Sequence, residues 1–166
     1  MALIVMMLFV SCKDETSLQQ YFVKNSENPE FISFTFSPKH YVKERGIKLK
    51  DDAFFKQIKS VNILFLNKED SLMVNKEYTH LKAILEDEQY QGLMSFNHQG
   101  FRVQIDYVGT DQDIKEVVVL ANKSTAHVAV LRIITNTLKI EQLTDIANLV
   151  QYKLSEEDFT LEDWLY

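Results

Sequence analysis

Between Leu93 and Ile134 four apolar segments follow one another with only tight reversals between them: Leu93–Phe96, Phe101–Val108, Ile114–Ala121 and Ala126–Ile134. Asn97-His98-Gln99-Gly100, Gly109-Thr110-Asp111 and Asn122-Lys123-Ser124 separate them, and Asn, Asp and Gly are the residues that hairpin turns select. Connections this short join antiparallel neighbours, so the four segments predict a meander. In the second segment Phe101, Val103, Ile105 and Tyr107 alternate with Arg102, Gln104 and Asp106. That period of two predicts one buried face and one wet face.

A sheet with an apolar face needs a second layer. Ser17 to Ser26 reads as a short helix with Leu18, Tyr21 and Phe22 on one side, ended by Asn28-Pro29. Phe31–Phe36 follows as a strand, with Ile32, Phe34 and Phe36 facing one way. Ser37-Pro38 and Gly46 bracket a short helix over Lys39–Arg45, and Asp51 or Asp52 caps another whose face holds Phe54, Phe55 and Ile58. Val61–Leu66 is almost wholly apolar, as befits a central strand covered on both sides. Glu69–Glu88 is the longest helical stretch, with the stripe Val74, Tyr78, Leu81 and Leu85, and Lys139–Gln151 closes the domain with Leu143, Ile146, Ala147 and Val150 inward. The expected fold class is α+β: a two-layer sandwich of an antiparallel four-strand meander plus N-terminal strands, with helices packed on one face.

The apolar start, Met1 to Val10, is about half the ~20 residues that a membrane-spanning helix needs and suits a signal-peptide core. No Lys or Arg precedes Lys13, which departs from the usual positive start. Phe9-Val10-Ser11-Cys12 resembles a loose bacterial lipobox, which implies acylation of Cys12 and cleavage before it. Lys13, Asp14 and Glu15 look like the export tag of some Gram-negative surface lipoproteins. The domains expected are thus 1–11 signal peptide, 12–16 lipidated Cys and tether, 17–151 a single α+β domain, and 152–166 an acidic-aromatic tail.

Several stretches together are similar to the DUF4252 family. They are the lipobox, Leu18-Gln19-Gln20-Tyr21-Phe22, Tyr90-Gln91-Gly92-Leu93-Met94, Ile114–Leu120, Val128–Ile133 and the Leu143–Leu149 helix. The resemblance covers roughly residues 17–150 and implies a small envelope protein, often a lipoprotein, of unknown function. The family brings no established catalytic residues. Many of its members carry a Gly after the last strand, where this chain has Thr135-Asn136.

Chemistry finds little footing in the residues. Glu77-Tyr78-Thr79-His80 is half of a di-iron pattern whose second half is missing, and His40, His80, His98 and His127 read as surface or half-buried side chains. Asp111-Gln112-Asp113 with Glu116 lacks the remaining features of a calcium loop and reads as a solvated hairpin tip, Glu116 blunting a strand edge. There is no Gly-x-Ser-x-Gly elbow, and four Gly in all leave no phosphate-cradling loop. No catalytic residue, metal or cofactor is expected. A net charge of −6 argues against nucleic acid as a partner.

One charge asymmetry stands out. Lys39–Lys59 holds seven bases against three acids, whereas Ser155–Tyr166 carries five acids and no base. Lys48, Lys50, Phe54, Phe55 and Lys56 form a candidate partner patch, on which Trp164 of the tail either docks or gives way to a partner; the alternative is a solvated face and a frayed end. The expectation is an outer-membrane lipoprotein, on the cell surface or periplasmic face, that binds an unknown envelope protein in signalling or assembly. Carriage of a small apolar ligand is the alternative, and an unrecognised hydrolase a more distant one.

Overall fold

Ser17 starts the first helix by a reciprocal cap. Its hydroxyl accepts from the Gln20 amide at 3.2 Å, and the Gln20 side chain accepts from the Ser17 amide at 2.9 Å. Helix α1 (Leu18–Ser26) then buries Leu18, Tyr21, Phe22 and Asn25, one helical stripe. Strand β1 (Ile32–Phe36) follows, then β2 (Ile58–Asn67) and helix α2 (Ser71–Leu85). The Asp70 carboxylate caps α2 through the amides of Leu72 and Met73, and Val74, Leu81, Ile84 and Leu85 are buried along it. The meander completes the order: β3 (Gln91–His98), β4 (Phe101–Thr110), β5 (Asp113–Lys123) and β6 (His127–Leu138). These positions come from a computed structural model, which describes residues 17–38, 56–68, 70–98, 100–123 and 126–144.

All six strands form one antiparallel sheet in the order β1-β2-β6-β5-β4-β3. The last strand therefore lies at the centre, where it accepts the N-terminal strands on its free side. The molecule is α+β, a two-layer sandwich with α1 and α2 on one face. That face carries Leu64, Leu66, Val118, Leu120, Val128 and Val130. The opposite face holds Val103, Ile105, Val117, Val119 and Ile133, with Leu143 of the helical residues 140–144. Alternation in β4 thus marks a buried face, but α1 and α2 sit on the other side of the sheet.

Three sequence expectations change. Ile58 opens β2 opposite Thr135 instead of joining a helix with Phe54 and Phe55, because a bulge beside it turns its β-branched side chain into the sheet core. Thr135 and Asn136 lie inside β6 and make no turn; the Thr135 hydroxyl, 1% exposed, donates to the Ile114 carbonyl at 2.5 Å. Asn122 and Lys123 likewise extend β5. Gly109 lies within β4, at the bulge ahead of the Asp111-Gln112 reversal; its φ is +127°, and a Cβ there would stand 2.4 Å from the Asp113 carbonyl oxygen. The expected Lys39–Arg45 helix and the helix capped by Asp51 or Asp52 lie outside the described residues, as does most of the closing helix.

Candidate functional site

The register lines up one row of residues across all six strands: Thr35, Asn62, Arg132, Val118, Asp106 and Gly92. The row lies on the face that α1 and α2 cover, at the margin of their apolar cluster. Only Val118 in it is apolar among the side chains. Thr35 donates to the Asn62 side-chain oxygen at 3.0 Å. Arg132 reaches Glu116 of the adjacent strand at 2.7 Å and donates to Gln19 of α1. Both members of this ion pair are largely shielded, with side chains 16% and 11% exposed.

Asp106 sits on the far side of Val118 from Arg132 and is 3% exposed. Its Oδ1 accepts from Gln104 at 3.1 Å, whereas no protein group meets Oδ2. Burial raises the Asp106 carboxyl above its ordinary range, and the Gln104 bond opposes that rise in part. Glu116 Oε1 and Arg132 Nε are also buried without a partner. Tyr90, half buried just before β3, completes the cluster. Its hydroxyl is pushed up to about 12 by burial first, then by the Glu116 charge, with Arg132 opposing and Asp87 and Asp106 adding.

The row runs on to β3, which ends the sheet. Gly92 is paired with Asp106, and a Cβ there would stand 3.7 Å from Asp106 Oδ1. Beyond a bulge between Gly92 and Met94, the residues Met94 to His98 run in regular register along β4. Gln91, Gly92, Met94, Ser95 and Asn97 are exposed, and the segment QGLMSFNH contains neither a charge nor a proline. Leu93 and Phe96 pack inward on the face opposite the helices.

Two further clusters stiffen the frame. Tyr21 donates to Glu77 at 2.8 Å and meets His80 edge-on at 5.3 Å, so both residues of the half di-iron pattern serve α1–α2 contact. Burial, with help from Glu77, pushes the Tyr21 hydroxyl up. At the opposite sheet end His127 stacks on Phe65 at 5.7 Å and on Phe101 at 6.4 Å, and Lys123 lies over the Phe101 ring at 5.4 Å. Burial, followed by the Lys123 charge, lowers the His127 imidazole. Among the described residues no group of three His, Cys, Asp or Glu is placed to hold a metal ion. The Asp111–Asp113 hairpin tip is held by Tyr107, which donates to Asp111 at 2.9 Å, and by a Lys115–Asp113 ion pair at 2.6 Å.

Sequence reasoning missed the polar row. It placed Asp106 on a wet face, whereas the cluster buries it; it read Glu116 as an edge residue, whereas β5 lies between β4 and β6. A signal existed in the charged Arg132 and Glu116 set into apolar strands, but pairing them requires the register. Of the sequence-predicted site residues, Lys56 is described and exposed, just ahead of β2. Cys12, Lys13, Asp14, Glu15, Lys48, Lys50, Phe54, Phe55 and Trp164 lie outside the described residues. No helix among the described residues is long and apolar enough to cross a membrane.

Fold and cluster together describe a helix-backed open antiparallel sheet whose buried polar row runs to the edge strand β3 among the described residues. The particular family is shown by its model, the domain of unknown function DUF4252, which matches residues 21–146; the chain belongs to that family. No curated protein and no solved structure matches the chain.

Proposed function

We propose that the chain is a lipid-anchored envelope module that performs no chemistry and holds a partner protein by adding an extended segment of that partner to the outer edge of β3. The observation that supports it is the β3 edge. Natural sheets guard exposed edges with lysines, prolines or inward charges, because unpaired backbone groups recruit other strands. Here an eight-residue strand carries none of these, and its Met94 is 43% exposed. Its one bulge lies at the start, which leaves Met94–His98 straight enough to pair. Strand addition draws affinity from backbone hydrogen bonds and selectivity from alternate side chains.

In this reading Cys12 is acylated and tethers the domain to the outer membrane, and Lys13, Asp14 and Glu15 select the cell surface over the periplasmic face. Acyl chains contribute roughly 0.8 kcal/mol per buried CH₂, enough for stable anchoring when several are present. Cys12→Ala then leaves an unprocessed, unacylated precursor, and normal processing and membrane retention of that variant would refute the anchor. A photo-crosslinking side chain at Ser95, with Val23 on exposed α1 surface as the control, tests the edge in intact cells. Crosslinks formed from Ser95 and not from Val23 support strand addition. Crosslinks from Val23 alone overturn it.

A further inference from the structure

We infer that the segment added to β3 carries a lysine or arginine at the position beside Gly92, and that its cationic head crosses the glycine to pair with Asp106. The inference rests on the strand-addition reading and names the chemistry of the partner. Three observations lead to it. Asp106 is an acid without a cation: it is 3% exposed, Oδ2 meets no protein group, and the single donor to Oδ1 is the neutral Gln104 amide. Arg132 does not serve it, because that guanidinium is directed to Glu116 and Gln19, and Val118 stands between the two positions in the row.

The cation would approach from the β3 side. Gly92 is exposed and pairs directly with Asp106, with nothing projecting from it on that face. A strand added beyond β3 lies about 4.8 Å from Gly92 and about twice that from Asp106. The long stem of a lysine or arginine spans such a gap when the residue between has no side chain, and its methylenes can lie on the bare backbone of Gly92. The next row adds Glu116, whose Oε1 also lacks a donor. An incoming cation therefore meets two carboxylates balanced by one arginine, in a chain of net charge −6. A neutral residue at the same position leaves Asp106 Oδ2 as it stands, and an acidic one adds repulsion.

The test uses the full chain in detergent and three synthetic peptides, Thr-Val-Thr-X-Thr-Val-Thr, with X as Arg, Gln or Glu. Affinity is read by fluorescence anisotropy of the labelled peptide, and the binding place by amide hydrogen exchange. The Arg peptide is expected to bind about tenfold more tightly than the Gln peptide, the Glu peptide more weakly than both, and all protection to fall on β3. Asp106→Asn is expected to abolish the Arg advantage, bringing the Arg peptide to the affinity of the Gln peptide. Equal affinity of all three peptides with β3 protected, or an Arg advantage that survives Asp106→Asn, overturns the basic-residue inference and leaves strand addition standing. Protection of β3 by none of them overturns strand addition and this inference with it.

Discussion

Strand β5 and strand β3 belong to one sheet and are two strands apart, yet they meet opposite environments. In β5, Val117, Val118 and Leu120 are at 0% exposure, because adjacent side chains point to opposite faces and both faces are covered. In β3 the helix-side positions Gly92, Ser95 and Asn97 are bare, and the other face carries only Leu93 and Phe96 inward. The helical layer covers the centre of the sheet and gives out before the edge. At that margin lies the polar row, with Arg132 and Glu116 satisfied in part on the covered side and Asp106 left short of a donor beside the edge. Apolar residues thus concentrate in the covered centre, and polar side chains gather at the margin beside β3.

The largest effects are expected in the covered centre. Leu120→Ala should cost about 2–5 kcal/mol in chemical denaturation, since it empties space on the helix-packed face. A loss below about 1 kcal/mol would mean that α1 and α2 do not close over β5. Next comes the margin. Arg132→Met strands Glu116 without its cation and should cost about 2–3 kcal/mol, somewhat below the range for wholly buried pairs because both side chains retain some exposure. The double change Arg132→Met with Glu116→Leu should recover most of that loss, and a double variant as weak as the single one would show that the pair is not coupled.

At the margin, Asp106 makes stability depend on pH. Its carboxyl is raised in the fold by burial. The neutral form is therefore the favoured one, so its contribution is complete below the unfolded carboxylate pKa and is lost as pH rises through the folded value. Asp106→Asn stays neutral throughout. It should melt higher than the parent at pH 7 and at nearly the same temperature at pH 3. A variant that melts lower at pH 7 would reveal a donor that holds the ionised carboxylate. The smallest effect belongs to the edge: Met94→Ala should change stability by no more than about 0.5 kcal/mol.

Much of the fold was legible because its signals are local. The Leu18, Tyr21 and Phe22 side of α1, the Val74-to-Leu85 stripe and the alternation of Phe101 to Tyr107 each depend on neighbours within a few positions. What failed to show depends on pairing at a distance. Alternation tells which residues share a face of β4, but not that helices from residues 18–26 and 71–85 cover part of the sheet's other face, nor that Asp106 on that face is buried. Ile58 joined the sheet because a bulge next to it shifts the register, a change that periodicity alone cannot display. Likewise Glu116 resembled an edge residue until β6 was placed beside β5. Of the lipid anchor and the basic patch, the described residues include Lys56 alone.

Amide hydrogen exchange on the chain, measured free and then bound to the partner that Ser95 crosslinks, bears most directly on the edge as a strand acceptor. Amides of β3, fast in the free chain, are expected to become protected on binding while those of β5 keep the slow exchange they already have. Protection that appears on α1 or α2 while β3 stays fast would contradict strand addition at this edge.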